Sequence, residues 1–372
     1  MGLCATESSG DILGSDLIRN LKSKDPLIEF FGLGGSEMRK EGFNSFDSNE
    51  DFQVMGLIDP IFRINRILKK RNELIDHLID KNIDIFIGID SPSLNLGISR
   101  ILKKKSNIKT VQYVCPQVWA WRSNRAKKFN NFLDLVLNLF PFEKSFLQNF
   151  GVNSVFVGHP KASRISTNID KLKYKLELDL DPDLKTFSFL PGSRKQEVNN
   201  SIKMISKIAH QRKDLFLWIA GVDNLPINFY DSIIGLINVR LVVGKTYELL
   251  NICDVAIVTS GTATLEAALW KIPQVVCYRA HPISYLIARI LVKIKFISLV
   301  NLVLNKEAVK ELIQKDYTIE NILTEVDILI TDKTRRKQQL DSYQELNTLL
   351  GRQKASIIVA EKVINMANTK LL

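Results

Sequence analysis

The sequence predicts an α/β protein built from two doubly wound parallel-sheet domains, followed by a C-terminal helical extension. Three observations predict it. Short apolar runs alternate with stretches of helical period along most of the 372 residues. The runs are rich in β-branched and aromatic residues and about four to eight residues long, the pattern of strands covered on both faces. The length itself suggests two domains, at about 100–200 residues each.

Ile83-Asp-Ile-Phe-Ile-Gly-Ile89 reads as a buried strand. So do Lys109–Val114, Asp134–Leu139, Thr186–Leu190, Asp214–Ala220, Asn238–Val243, Asp254–Thr259 and Pro273–Tyr278. Between them lie amphipathic helices. One is marked by Ile12, Leu13, Leu17, Ile18 and Leu21, a second by Ile64, Ile67, Leu68, Leu74, Ile75, Leu78 and Ile79, and a third by Val198, Ile202, Ile205 and Ile208. Such alternation implies right-handed βαβ units and Rossmann-like sheets. It pauses from about Lys161 to Leu184, a charged stretch ending in Asp181-Pro-Asp. The expected division is a domain over 1–160, a linker over 161–185, a domain over 186–330 and C-terminal helices over 331–372, the helical, Gln- and Lys-rich character setting in from about Thr318.

Apolar residues make up 45% of the chain and charged residues 24%, which suits sizeable cores and excludes a disordered chain. Lys and Arg number 51 against 40 Asp and Glu, an excess of +11 that favours anionic partners without choosing among them. Cys4, Cys115, Cys253 and Cys277 lie far apart with no CxxC pair, which excludes a disulfide scaffold and a Cys-rich zinc site. The most apolar stretch, Ile283 to Leu304, is broken by Arg289, Lys293 and Lys295, so no spanning helix is expected. Glu7 and Asp11 interrupt the N-terminus before any signal-peptide core develops, and a cytoplasmic location is expected. The histidines His77, His159, His210 and His281 show no metal-ligand spacing, and neither a metal nor a cofactor is expected. Without a zinc-finger or RNP signature, nucleic acid is not an expected partner.

Ligands of doubly wound domains bind at the carboxyl ends of strands, so the loops there are the candidates. Leu190-Pro-Gly192-Ser193-Arg194 follows a strand and precedes a helix. Gly192 admits close backbone approach, the helix N-terminus offers N–H groups and Arg194 a guanidinium: a diphosphate cradle, or a tight turn with a solvated Arg. Thr259-Ser260-Gly261-Thr262-Ala-Thr-Leu-Glu266 repeats the arrangement, with Ser260, Gly261 and Thr262 as donors and Glu266 suited to a ribose; the plainer alternative is a helix cap. Asp90, leaving the most apolar strand, suits a partly desolvated general base; locally it reads as a turn residue before Ser91-Pro92. Glu7, Ser8, Ser9 and Gly10 suit a tight loop facing a ligand, or a helix cap with Asp11 in the first turn. Gly32-Leu-Gly-Gly35 lacks the third glycine of a dinucleotide fingerprint. Trp119 and Trp121 beside Arg122 suit a sugar or acyl wall, or core packing. Leu57, Ile58, Ile61, Phe62, Ile64, Ile67 and Leu68, interleaved with Arg63, Arg66, Lys69, Lys70 and Arg71, suit an anionic membrane surface, or one buried helix stripe. Gly244-Lys-Thr246 and Asp179-Leu-Asp181 resemble a P-loop end and a metal-binding DxD, but the first lacks its opening glycine and the second lies in the polar linker.

Taken together, these blocks form an ordered set. Glu7-Ser-Ser-Gly-Asp-Ile-Leu-Gly14, Gly32-Leu-Gly-Gly35, Met55-Gly56, Gly88-Ile-Asp90, Pro116-Gln-Val-Trp-Ala-Trp-Arg122, Leu139-Phe-Pro-Phe-Glu143, Gly158-His-Pro160, Leu190-Pro-Gly-Ser-Arg194, Ser260-Gly-Thr-Ala-Thr-Leu-Glu266, Tyr278-Arg279 and Asn301 closely resemble the lipid-A-disaccharide synthase family over nearly the whole chain. The resemblance implies an inverting, metal-independent GT-B glycosyltransferase. Its reaction moves 2,3-diacylglucosamine from UDP-2,3-diacylglucosamine to 2,3-diacylglucosamine 1-phosphate, giving the β-1,6-linked disaccharide and UDP. It implies Asp90 as general base, Arg194 at the diphosphate, Glu266 at the ribose and Asn301 at the donor pocket. It also implies that the Leu57–Leu68 face meets the inner face of the Gram-negative inner membrane, and that the chain forms a homodimer. Other readings are a different UDP-sugar enzyme of the same fold, an epimerase among them, and a non-catalytic nucleotide- or lipid-binding protein. The chain departs from the family's pattern at Thr6, where a Gly is usual, in its short first strand, and at Val300, where a Pro is common.

Overall fold

The computed structural model describes residues 1–46, 60–121, 123–163, 184–222, 225–282, 294–351 and 353–368, with residues 172, 175, 176, 181, 285, 286 and 289 besides; of residues 60–65 it describes the backbone alone. The chain divides into two compact units, Met1–Ser163 with Leu350–Leu372, and Arg164–Leu349.

The first unit runs β1 (Gly2–Cys4), α1 (Ser8–Lys24), β2 (Phe31–Leu33), α2 (Ser36–Lys40), β3 (Asn44–Ser45), α3 (Pro60–Asp80), β4 (Ile85–Ile89), α4 (Pro92–Lys105), β5 (Lys109–Tyr113), β6 (Leu135–Asn138), α5 (Pro141–Gln148) and β7 (Ser154–Phe156). The strands form one sheet in the order β3-β2-β1-β4-β5-β6-β7, every pair parallel. The reason is visible in β4, whose Ile85, Phe86, Ile87 and Ile89 are all fully buried: apolar on both faces, it stands only inside a covered sheet. Helix α1 buries Leu17, Ile18 and Leu21 and ends on Lys22 and Lys24, which suit the negative end of its dipole. The chain moves outward from β1 to β3, then returns to place β4 on the other side of β1. Strand order therefore reverses between β1 and β4, the point at which such sheets bind ligands.

The second unit repeats the plan. It runs β8 (Thr186–Leu190), α6 (Lys195–Gln211), β9 (Phe216–Gly221), β10 (Val239–Val243), α7 (Thr246–Ile252), β11 (Val255–Thr259), α8 (Thr262–Leu269), β12 (Gln274–Tyr278), α9 (Leu299–Leu304), β13 (Lys310–Ile313), α10 (Ile319–Thr331) and α11 (Lys333–Leu350). Its parallel order is β10-β9-β8-β11-β12-β13, with the reversal between β8 and β11. All eight strands expected from apolar runs are present, their ends shifted by at most two residues.

The helical extension is present and its two parts go to different units. In α11, Gln339 accepts from the Gln274 backbone N–H at 2.7 Å and from the Tyr343 hydroxyl at 2.9 Å, which fastens the helix to β12. Helix α12 (Ala355–Asn368) lies on α1, where Asn20 donates to Ser356 at 3.1 Å and Lys24 meets Glu361 at 3.3 Å. No described helix is long and apolar enough to cross a membrane.

Candidate active site

In the first unit, the two loops at the reversal carry Glu7 and Asp90. Asp90 and Ser91 both take left-handed backbone, with φ 52° and 38°, and Val114 on the neighbouring strand end has φ 77°. Such conformations cost of order 1–3 kcal/mol each for non-glycine residues and persist only where surroundings over-determine them. Here the surroundings are hydrogen bonds. The Asp90 N–H donates to Tyr113 O at 2.9 Å, and Asp90 O accepts from Asn95 Nδ2 at 2.8 Å and Gln112 Nε2 at 3.0 Å. Gly88 leaves room for both amides, since a Cβ there would lie 2.7 Å from that of Asn95. Burial raises the Asp90 carboxyl above the ordinary aspartate range, against opposing hydrogen bonds from the Ser91 N–H and the Ser9 side chain. Glu7 is raised too, first by partial desolvation and then by the charge of Asp90.

Of the two readings of Ser8, Ser9 and Gly10, a loop facing a ligand or a helix start with Asp11 in the first turn, the structure has the second. They form the first turn of α1, with Glu7 at the N-cap position. The strand ends at Cys4, and the turn is closed by packing of Gly10, where a Cβ would stand 3.3 Å from that of Ala5. Asp11 does not serve its own helix. Its carboxylate accepts from the N–H groups of Gly35, Glu37 and Met38 at 2.8–3.1 Å, and Gly35 leaves space for it. The Gly32–Gly35 run thus receives a carboxylate rather than a dinucleotide.

Trp119 follows its packing reading: it meets Phe142 edge-on at 4.9 Å and donates to Glu143 at 3.2 Å. Trp121 is 41% exposed, and Arg122 lies outside the described residues. Glu143 also accepts from the N–H groups of Leu139 and Phe140, yet burial pushes its carboxyl up to about 8 from 4.5. His159, stacked on Phe140 at 5.4 Å, is pushed down to about 3 from 6.5, mainly by burial and then by Lys161. The fold therefore favours the neutral form of both groups. For Glu143 the stabilisation is full below pH 4.5 and is lost as pH rises to about 8. For His159 it is full above pH 6.5 and is lost as pH falls toward about 3. Glu143→Gln should accordingly remove the part of the decline in thermal midpoint that sets in as pH rises from 4.5 to about 8, and leave the His159 decline on acidification in place. A variant with the wild-type slope on both sides would contradict this assignment.

In the second unit, the Leu190–Arg194 and Thr259–Thr262 loops follow the neighbouring strands β8 and β11. The Ser201 hydroxyl joins them, donating to Pro191 O at 3.3 Å and lying 3.5 Å from Thr259 Oγ1. Gly192 takes φ 93°. The N–H groups of Ser193 and Arg194, expected as open donors, both donate to Glu197, at 3.3 and 3.2 Å. Glu197 also pairs with the Arg194 guanidinium at 3.1 Å, while the Arg194 side chain remains 80% exposed. The sequence reading missed Glu197, although a carboxylate three residues after the loop is the capping-box spacing. A small cavity at this end of the sheet is lined by Glu197, Ser201, Thr259, Arg279 and Tyr317, among others.

At the second loop, Ser260 donates its N–H to Cys277 O at 3.0 Å and its hydroxyl to Ile297 O at 2.9 Å, so that hydroxyl is engaged within the chain. Gly261 and Thr262 are exposed at the start of α8, whose N-cap is Gly261 with no side-chain cap. Half-buried Glu266 lies on that helix beyond its first turn. Asn301, expected at the donor pocket, is fully buried. Its amide donates to Val309 O and Glu311 Oε1, both at 2.9 Å, and accepts from the N–H groups of Ala308 and Val309 at 2.8 and 3.0 Å. Glu311 in turn accepts from the N–H groups of Ile297 and Ser298. Asn301 therefore braces the segment that receives the Ser260 hydroxyl, a correction to the direct-contact expectation. No local pattern marks Glu311 for this part. Asn301→Ala leaves buried donors unpaired and should lower unfolding free energy by about 2–4 kcal/mol, read from urea titration. An unchanged midpoint would remove the bracing role.

Of the expected membrane face, Leu57 and Ile58 lie outside the described residues, as do the side chains of Ile61, Phe62 and Ile64 and the acidic pair's Asp179. On α3, Ile67 is half-buried and Leu68 is 39% exposed.

Solved structures place this architecture among glycosyltransferases and sugar-nucleotide enzymes. A glycosyltransferase from Rickettsia africae is similar with TM-score 0.58 at 14% identity, covering 100% of this chain and 97% of that one. The UDP-GlcNAc 2-epimerase of Neisseria meningitidis, bound to UDP-GlcNAc, is similar with TM-score 0.64 at 13% identity, covering 98% of each. At such identities the likeness shows the fold, GT-B, which hosts transferases and epimerases alike. Sequence decides the family. A family model described as lipid-A-disaccharide synthetase matches residues 1–362. The lipid-A-disaccharide synthase of Hydrogenovibrio crunogenus is 38% identical over 379 residues, covering 99% of this chain and 100% of its own length. That of Pseudomonas paraeruginosa is 36% identical over 389 residues, covering 100% and 98%. The chain belongs to the lipid-A-disaccharide synthase family.

Proposed function

We propose that this protein transfers 2,3-diacylglucosamine from UDP-2,3-diacylglucosamine to the 6-hydroxyl of 2,3-diacylglucosamine 1-phosphate in one inverting displacement, releasing UDP. Family membership over the full chain is the observation that carries this activity, and the epimerase alternative is not favoured. Asp90 removes the proton of the acceptor hydroxyl as that oxygen attacks C1 of the donor. Its raised basicity and the Ser9 and Ser91 hydrogen bonds that aim it support the role. Arg194 faces the departing diphosphate. Its guanidinium is 80% exposed, so a diphosphate can replace the present contact with Glu197, whose carboxylate keeps the N–H groups of Ser193 and Arg194. The N–H groups of Gly261 and Thr262 add fixed donors, and Glu266 receives the ribose hydroxyls. Fixed donors of this kind do the work of a metal. Ser260 contributes through its loop, because its hydroxyl holds Ile297.

The exposed Leu68 on a helix that also carries Arg66, Lys69 and Arg71 supports peripheral contact with the anionic inner-membrane surface from the cytoplasm. A homodimer belongs to the same reading. The test of the activity is UDP release from the donor with and without acceptor. Release that requires acceptor is the expected result. Acceptor-independent turnover of the donor would favour a different UDP-sugar enzyme, and binding without release would favour a non-catalytic protein.

A further inference from the structure

Thr6 is one of the positions at which the chain departs from the family's pattern, and the mechanism above leaves it unused. It is 5% exposed, and its hydroxyl lies 2.6 Å from that of Ser91, itself 8% exposed. The bond spans the two loops at the reversal of the first sheet. Thr6 stands three residues before Ser9, whose side chain meets the Asp90 carboxylate, and Ser91 supplies the N–H that meets the same carboxylate. The pair therefore joins the two supports of one functional group.

The position of Ser91 is unusual in a second way. It occupies the N-cap of α4, where a serine ordinarily turns its hydroxyl to the helix N–H groups. Here no side-chain cap bond forms, and the hydroxyl goes to Thr6. The residue is also left-handed at φ 38°, next to Asp90 at 52°. Amide bonds from Asn95 and Gln112 hold the carbonyl of Asp90, and the carbonyl of Ser91 accepts from the N–H groups of Leu94 and Asn95, both at 3.2 Å. The Thr6 hydroxyl adds a restraint on the Ser91 side chain.

We propose that Thr6 and Ser91 form a positioning pair that holds the left-handed Asp90–Ser91 turn and so aims the Asp90 carboxylate at the acceptor hydroxyl. The inference rests on the general-base reading of Asp90. A pair that aims a base acts on the chemical step rather than on donor affinity, so the split between kcat and KM reports it. Misplacement of about 1 Å costs up to about 10²-fold in rate. A single lost tether should cost less.

The test is steady-state kinetics with both lipid substrates on Thr6→Val, Thr6→Ser, Ser91→Ala and the Thr6→Val/Ser91→Ala double variant, with Asp90→Asn alongside. Thr6→Val should lower kcat about five- to fiftyfold with donor KM unchanged. Thr6→Ser, which restores a hydroxyl, should recover kcat to within about twofold of wild type. Ser91→Ala should match Thr6→Val, and the double variant should be no slower than either single one. If Thr6→Val does not fold, Ser91→Ala and Thr6→Ser carry the same comparison. Wild-type kcat in both Thr6→Val and Ser91→Ala, multiplicative losses in the double variant, or failure of Thr6→Ser to recover overturns the pair. With Asp90→Asn inactive, those outcomes leave the general-base reading standing. An active Asp90→Asn removes that reading and this inference with it.

Discussion

Asp90→Asn should lower kcat by about 10²–10⁴-fold while leaving UDP affinity at its wild-type value. The amide has the shape of the carboxylate and accepts the Ser9 and Ser91 hydrogen bonds with one oxygen, so the turn is kept. What it loses is the capacity to take a proton. UDP affinity is the internal control, because the groups proposed to hold UDP belong to the second unit. The pH dependence carries a sign as well. Burial is the larger influence on Asp90 and raises its affinity for a proton. The acid limb of kcat/KM should therefore fall above the ordinary aspartate range, since the carboxylate must be free of its proton to act. Near-normal kcat in Asp90→Asn would remove this residue from the proton transfer.

Arg194→Ala should lower kcat/KM for the donor by about 10²–10³-fold, the scale of losing one charge-stabilising donor at a reacting centre. Here stability is the control. The side chain is 80% exposed, and Glu197, 13% exposed, keeps its bonds to the N–H groups of Ser193 and Arg194 without it. Truncating it should change unfolding free energy by no more than about 1 kcal/mol. A loss of turnover without a loss of fold assigns the guanidinium to the leaving diphosphate. Arg194→Lys should recover only part of the rate, because an ammonium lacks the planar fork that meets two phosphate oxygens. Wild-type kcat/KM in Arg194→Ala would move the diphosphate elsewhere, with Arg279 beside the same cavity as the next cation to examine.

Why some of this was legible and some was not follows from the range of each interaction. A parallel strand covered on both faces is mostly apolar, so β4, β6, β8 and β11 announce themselves in a single line of text. The loops behind them are then located without further information. Strands β3, β7 and β13 escape because they are only two to four residues long, and Lys310-Glu-Leu-Ile313 is charged over its first half. The chemistry at Asp90 was readable as a carboxylate at a strand end. Its restraint was not, because Asn95, Gln112 and Thr6 reach it from three other elements. Glu7-Ser-Ser-Gly10 read as a loop or a helix start, because Ser and Gly suit both turns and caps, and it starts a helix. The family resemblance put Asn301 at the donor pocket. Its partners, Val309 and Glu311, lie eight and ten residues away, and only the fold shows that they satisfy it completely. Glu197 teaches the converse: its spacing was visible, but that it would occupy the very N–H groups assigned to phosphate was not.

The most direct test of the whole account is the configuration of the product formed from UDP-2,3-diacylglucosamine and 2,3-diacylglucosamine 1-phosphate, read by NMR at the new glycosidic carbon. A single displacement with Asp90 as base predicts one β-1,6-linked disaccharide 1-phosphate, inverted at that carbon relative to the donor. A product with the donor's configuration retained, or consumption of donor with no disaccharide, would contradict it.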